Sequence, residues 1–299
     1  MENFALIFTA LFIGYVLNKA QVFAKETPII LNQFILYISL PAMALLQIPK
    51  LEFSSEVIIP VVIAWIVMAC SAFVLLGFAR FFSFSREVTG AILLVGVLGN
   101  TSFLGIPIIQ AYLGDAALGY VLMYDQLGSF IALSTYGTFV SVYFSSTDAV
   151  DVKAIAKKIL LFPPFLTLLV ALCFLGQEFP PLLTSVLASL ASTIVPLALV
   201  AVGLQLRFRL PREDLRPFSI TLLVTLIFAP LVAFGIVQLF GSHSLASNVS
   251  IMEASMGPMI TAGAVASMAG LAPRLSASIV GYGTLFSFVT SWAVYTFLL

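Results

Sequence analysis

The sequence predicts an all-α polytopic membrane protein: ten transmembrane helices arranged as two inverted five-helix repeats, with helices four and nine broken and crossing. Three observations predict it. First, 61% of the 299 residues are hydrophobic and only 9% are charged, against roughly 25% charged in a soluble domain. Second, the basic residues collect at alternate ends of the apolar runs. Third, two Gly/Pro-interrupted runs occupy matched places in the two halves of the chain.

A membrane helix needs about 20 mostly apolar residues. The opening "MENFALIF" has neither a positive n-region nor a small-residue cleavage site, so residues 3–18 read as a first span and not as a cleaved signal. The second run, 28–47, carries Pro41 midway within "YISLPAMAL". The third, 57–79, is an uninterrupted apolar helix. The fourth, 88–112, contains "GNTSFLGIP", with two glycines, three polar side chains and a proline in nine residues. The fifth, 117–145, holds Asp125 in "YDQLG", beside the small Gly128 and Ser129 that suit close helix contacts. The sixth run is 158–175. The seventh, 181–206, carries Pro196 in "STIVPLALV", and the eighth is 217–240. The ninth, 246–270, is interrupted by "MEASMGP", and the tenth, 275–297, contains the small-residue stretch "VGYGTLF". Between the runs no polar stretch is long enough for a soluble domain.

Cytoplasmic loops collect Lys and Arg. With ten spans and an external N-terminus, the inner side holds Lys19, Lys25, Arg80, Arg86, Lys153, Lys157, Lys158, Arg207, Arg209, Arg212, Arg216 and Arg274. That is twelve of the 13 basic residues, with only Lys50 outside. Were runs four and nine not to cross, the split would be eight outside and five inside, and the bias would vanish. Both interrupted runs are therefore expected to cross, which places both termini outside a plasma membrane, the inner membrane of a bacterium. Net charge is zero, with no basic patch for nucleic acid.

The halves, 1–147 and 148–299, repeat one another weakly. Pro41 and Pro107 are 66 residues apart, and Pro196 and Pro258 are 62 apart. A half that follows five spans enters from the opposite side, so the copies are inverted. Inverted repeats with paired broken spans are a secondary-transporter architecture. A kink without function is the ordinary reading of one membrane proline; four at matched spacing point further.

Pro107 has no N–H and conflicts with the carbonyl of Phe103, as Pro258 does with that of Ala254. Gly105 and Gly257 permit backbone angles that other residues resist. Unpaired backbone in lipid persists only against protein or a wet cavity. The expected substrate site is therefore Asn100, Thr101, Ser102, Gly105 and Pro107 from run four, with Ser255, Gly257 and Pro258 from run nine and Thr261 nearby. Apart from Lys158 at the very start of run six, no Lys or Arg lies inside a span, so an anion would be held by helix N-termini and by donors such as Asn100. Glu253 and Asp125 are carboxylates within spans, functional by default, and are expected to couple transport to Na⁺ or H⁺. Asp125 is expected in a water-filled vestibule. No cofactor and no metal site are expected: Cys70 and Cys173 lack ligand spacing, and the lone His243 sits in a short loop. The same scarcity argues against an enzyme, because a rhomboid-type site wants a helical His and an aspartyl protease wants two facing Asp.

These stretches, "GNTSFLGIP", "YISLPAMAL" and "MEASMGP" in a five-plus-five arrangement, resemble the auxin efflux carrier family, which includes bacterial members and the plant PIN proteins, over essentially the whole chain. The resemblance implies a scaffold of spans one, two, six and seven and a mobile transport domain of spans three to five and eight to ten. It implies elevator-type alternating access for small organic anions, mono- or dicarboxylates such as malate or malonate, bound near Asn100, Pro107 and Pro258. The short 146–157 connection lacks the long hydrophilic loop of large plant PINs and argues against auxin as substrate. Bacterial sodium/bile-acid symporters look like distant relatives whose ninth-span glutamate helps bind Na⁺, a place comparable to Glu253. Hence the alternative of a Na⁺-coupled symporter for a larger amphipathic anion; a non-transporting ligand sensor is the reading from another class. The expected partners are a small organic anion and the lipid bilayer, with a homodimer allowed.

Overall fold

Backbone polar groups in lipid are satisfied inside helices or closed barrels, and the computed structural model, which describes residues 2–24, 26–51, 54–145, 160–206 and 214–299, is built from helices joined by short turns. Counted through their 3-10 and π turns, the described helices are α1 (Glu2–Lys19), α2 (Thr27–Lys50), α3 (Ser55–Phe81), α4 (Arg86–Val97), α5 (Thr101–Leu113), α6 (Asp115–Phe144), α7 (Pro163–Leu172), α8 (Pro181–Gln205), α9 (Leu215–Phe240), α10 (Leu245–Ala254), α11 (Ile260–Met268) and α12 (Pro273–Phe297). Six of these, α2, α3, α6, α8, α9 and α12, are long and apolar enough to cross a bilayer. Each of the ten apolar runs contains a helix, and runs four and nine each contain two, separated by non-helical backbone. In run six the described helix is Pro163–Leu172. Phe162 precedes Pro163 and is held extended (ψ 119°), so α7 begins there. Lys25, Lys153, Lys157, Lys158, Arg207, Arg209, Arg212 and the 146–157 connection lie outside the described residues.

Proline shapes the spans in a regular way. The π-helical turns Ile35–Ser39, Thr101–Gly105 and Val224–Phe228 each end two residues before a proline, Pro41, Pro107 and Pro230. Proline removes one N–H and its ring presses on the carbonyl four residues back. A wider turn shifts the preceding bonds to i→i−5 and moves that carbonyl aside, so the helix bends without ending. In α8 the interruption is sharper: helix gives way to a turn at Ser192 and Thr193, just before Pro196. There Ser39 Oγ of α2 and Thr193 Oγ1 of α8 are hydrogen-bonded at 2.7 Å.

The helices pack in two groups. In one, α1 and α2 pack on α8, and α7 packs on α2. The closest crossing is backbone on backbone: a Cβ on Gly14 would lie 2.3 Å from the Val200 carbonyl oxygen, and one on Gly203 would lie 2.3 Å from that of Leu11. In the other group α3, α4, α6, α9, α10, α11 and α12 pack on one another, around buried side chains such as Ile92, Leu94, Leu222 and Ile279. Connections pair at the ends: Gly176 N–H donates to the Pro49 carbonyl (2.8 Å), and Arg86 Nε donates to that of Phe144 (3.2 Å).

Candidate functional site

The two interrupted runs meet where their helices stop. Helix α4 ends at Val97 and Leu98 turns extended (φ −95°, ψ 112°). Helix α10 ends at Ala254, and α11 begins only at Ile260. Between them Asn100 N–H donates to the Gly257 carbonyl (2.7 Å) and Met259 N–H donates to that of Leu98 (2.8 Å), an antiparallel bridge of Gly99 with Pro258. Backbone groups released by one break are thus satisfied by the other, which is what makes two breaks tolerable at this depth. The crossing rests on α12, where a Cβ on Gly257 would lie 2.9 Å from the Gly283 carbonyl oxygen and one on Gly283 would lie 2.4 Å from Pro258 Cδ. The "VGYGTLF" glycine is therefore a seat for the crossing.

Helix α5 starts at the crossing and not at Pro107. Asn100 is its N-cap: Oδ1 accepts the Phe103 N–H (3.3 Å), and the Asn100 carbonyl accepts those of Leu104 and Gly105 (3.2 and 3.0 Å). The π turn carries the helix past Pro107, which lies in its second turn, so the break falls at Leu98–Asn100, seven residues before the proline (Asn100 to Pro107). Pro258 does lie in its break, opposite Gly99. Asn100 is 1% exposed, and its amide nitrogen Nδ2 has no partner among the described residues.

Asp125 is not in a vestibule. It is buried against the first turn of α5, accepting from Thr101 Oγ1 (2.5 Å) and Ser102 Oγ (2.6 Å) at Oδ1 and from Gln126 Nε2 (2.6 Å) at Oδ2. A carboxylate at a helix N-terminus is placed favourably. Glu253, in the last turn of α10, is also buried, and neither of its oxygens has a hydrogen-bond partner among the described residues. Its head lies where a side chain on Gly105 would be: a Cβ there would be 2.5 Å from each oxygen. Ser255 Oγ donates to the Met252 carbonyl (2.7 Å) and so closes the end of α10. Thr261 is exposed on α11, away from the buried crossing.

Beside Glu253 is a small cavity of about 20 Å³, bordered by Gly99, Thr101, Ser129, Thr225 and Met256. A buried water needs roughly 10–15 Å³, so there is room for one. A larger cavity of about 410 Å³ separates α1, α2 and α8 from α5 and the start of α6, with Gln47, Pro107, Gln110, Asp115, Ser192 and Pro196 on its walls. Gln110 Nε2 donates to Asp115 Oδ1 (2.8 Å), and Lys50 Nζ donates to Gln47 Oε1 (3.3 Å). The lysine fixes the Gln47 oxygen and leaves its amide nitrogen as the donor end. Sequence reasoning missed this wall; the signal was a glutamine three residues before Lys50 and another five before Asp115. Among the described residues no cluster of three or more His, Cys, Asp or Glu could hold a metal ion.

Residues 1–147 and 146–295 match the model of a family described as membrane transport protein. An uncharacterized transporter of Methanocaldococcus jannaschii is 28% identical over 297 residues, covering 96% of this chain and 95% of that one. An uncharacterized transporter of Methanothermobacter thermautotrophicus is 24% identical over 298 residues, covering 98% of this chain and 97% of that one.

Proposed function

Since the chain belongs to the membrane transport protein family, the auxin efflux carriers, and is a multi-pass membrane transporter, we propose that its cargo is a small organic anion, a mono- or dicarboxylate such as malate or malonate, moved by elevator-type alternating access. The observation that carries this is the crossing itself: two broken helices bridged at Gly99 and Pro258, with the buried Asn100 amide nitrogen unpaired at the N-terminus of α5. Helix N-termini and amide donors bind anions without a fixed cation, and a carrier must release what it binds.

The reading has ten spans as two inverted repeats. Helices α1, α2, α7 and α8 form the scaffold, and the group around α3–α6 and α9–α12 moves past it. The 410 Å³ cavity lies on the seam between these groups. Its polar wall, Gln47, Gln110 and Asp115, belongs to the helix ends expected outside from the charge distribution, which supports reading the cavity as an outward vestibule in a plasma membrane. Counterflow of labelled malate or malonate in proteoliposomes tests this. Exchange is expected in the parent and a fall of about tenfold or more in Asn100→Ala, the loss of one hydrogen bond to a charged group being about 1.5–3 kcal/mol. Binding without flux for every carboxylate tried would leave a sensor instead.

One observation favours a second reading. Glu253 presents both oxygens unpaired beside a cavity with room for one water-sized occupant, and a buried uncompensated carboxylate needs a proton or a cation. A Na⁺-coupled symporter of a larger amphipathic anion would show sodium-dependent uptake that Glu253→Gln abolishes.

A further inference from the structure

The largest cavity described, about 940 Å³, is on the opposite end of the molecule from the vestibule and has no part in the crossing. It runs along α3 from Ala69 to Arg80 and is closed on its sides by Leu93 of α4 and by Tyr136, Val140 and Phe144 of α6. Its mouth is lateral: Phe73, Phe139 and Tyr143 line it and are 80%, 55% and 56% exposed. The eleven helical steps from Ala69 to Arg80 amount to about 16 Å at 1.5 Å per residue. That is close to half of a hydrocarbon core of about 30 Å, the depth of one leaflet.

Two arginines stand at the deep groove's polar end. Arg80, in the last turn of α3, is exposed, and its guanidinium has no hydrogen bond or ion pair among the described residues. Arg86, in the first turn of α4, donates to the carbonyls of Tyr143 and Phe144 and lies 5.4 Å over the Tyr143 ring. These bonds use Nε and Nη2 and leave Nη1 uncommitted. Glu87, the neighbouring carboxylate, is not part of the lining. An aromatic slot one leaflet deep, opening sideways and ending in two guanidinium groups at the level of the loops, matches an amphipathic anion with its head at the membrane surface.

We propose that this groove binds an acidic phospholipid from the leaflet on the side of Arg80 and Arg86, its acyl chain along α3 between Phe73 and Phe139 and its phosphate between the two arginines. A small carboxylate substrate has no use for so long an apolar slot, and a zwitterionic lipid brings its own ammonium beside the two arginines, so its net charge offsets neither. The site belongs to the helix group that carries the crossing, so its lipid would travel with that group.

The test is native mass spectrometry of the purified protein with phosphatidylglycerol or phosphatidylcholine added to the detergent, alongside thermal unfolding in the same mixtures. Phosphatidylglycerol is expected to be retained more strongly and to raise the unfolding temperature. Arg80→Gln should cut its retention by about fivefold, the scale for one surface cation facing anionic lipid, with phosphatidylcholine unaffected. Ala69→Trp, at an exposed position, should fill the slot and displace the lipid while leaving the folded state intact. Equal retention of the two lipids, or retention of phosphatidylglycerol unchanged in both variants, overturns the proposal. So does equal stabilisation by millimolar inorganic phosphate, which would mark a free-anion site.

Discussion

At Gly105 the absence of a side chain is what lets the Glu253 head lie against α5. A Cβ there would sit 2.5 Å from both carboxylate oxygens, inside any normal contact, and the head is buried with little room to retreat. Gly105→Ala should therefore destabilise the protein by about 1–3 kcal/mol, the usual cost of overpacking. The same change in a Glu253→Ala background should cost much less, because the clashing atoms are gone. Unfolding of the single and double variants in detergent measures the coupling, and an equal cost in both backgrounds would show that Gly105 answers to something else. Asn100, Gly257 and Pro258 were legible as places where the two runs break, because polar and flexible residues in an apolar run interrupt its helix. The surroundings of Asp125 were not. Its three hydrogen-bond donors include Thr101 and Ser102 from another helix, and no local pattern announces a partner more than 20 residues away.

At the scale of elements, the sequence marked which spans break but misplaced one break. In α5 the proline is absorbed by the π turn Thr101–Gly105, and the helix is interrupted earlier, where Gly99 and Asn100 can pair with the other crossing segment. A proline states that a bond is missing; whether the helix widens or ends depends on what lies across from it, which is tertiary information. The same distinction separates the two other matched prolines, a π turn before Pro41 in α2 and a sharper turn before Pro196 in α8. The packing of α1 on α8 rests on a pair of glycines that composition alone did not single out. Each would place a Cβ 2.3 Å from a backbone carbonyl oxygen, and backbone cannot swing aside as a side chain can. Gly203→Val should thus force the helices apart and lower the unfolding temperature more than Gly77→Val, since a Cβ on Gly77 meets nothing within 4 Å. Equal shifts for the two variants would mean that this crossing contributes nothing special to the scaffold.

For the whole molecule the informative feature is that the elements expected to correspond in the two halves touch. The α2 and α8 interruptions meet at Ser39 and Thr193, and the α4–α5 and α10–α11 interruptions meet at Gly99 and Pro258. Elements exchanged by a two-fold axis can contact one another only near that axis, so both contacts fit an inverted repeat folded about a line through the middle of the membrane. The first contact lies in the proposed scaffold and the second in the proposed moving group, which puts the seam between them at the 410 Å³ cavity. If the moving group slides along that seam, a bulky side chain on the scaffold wall should stop it without touching the crossing. Ala188 of α8 is on the wall and exposed, so Ala188→Trp should leave folding nearly unchanged, as surface substitutions do to within about 0.5 kcal/mol. Carboxylate counterflow should fall to about a tenth or less of the parent, because a step that carries the site across cannot be completed at partial depth. Retained flux in a folded Ala188→Trp protein would argue that the two groups do not slide on this surface and that access alternates by local opening around the crossing.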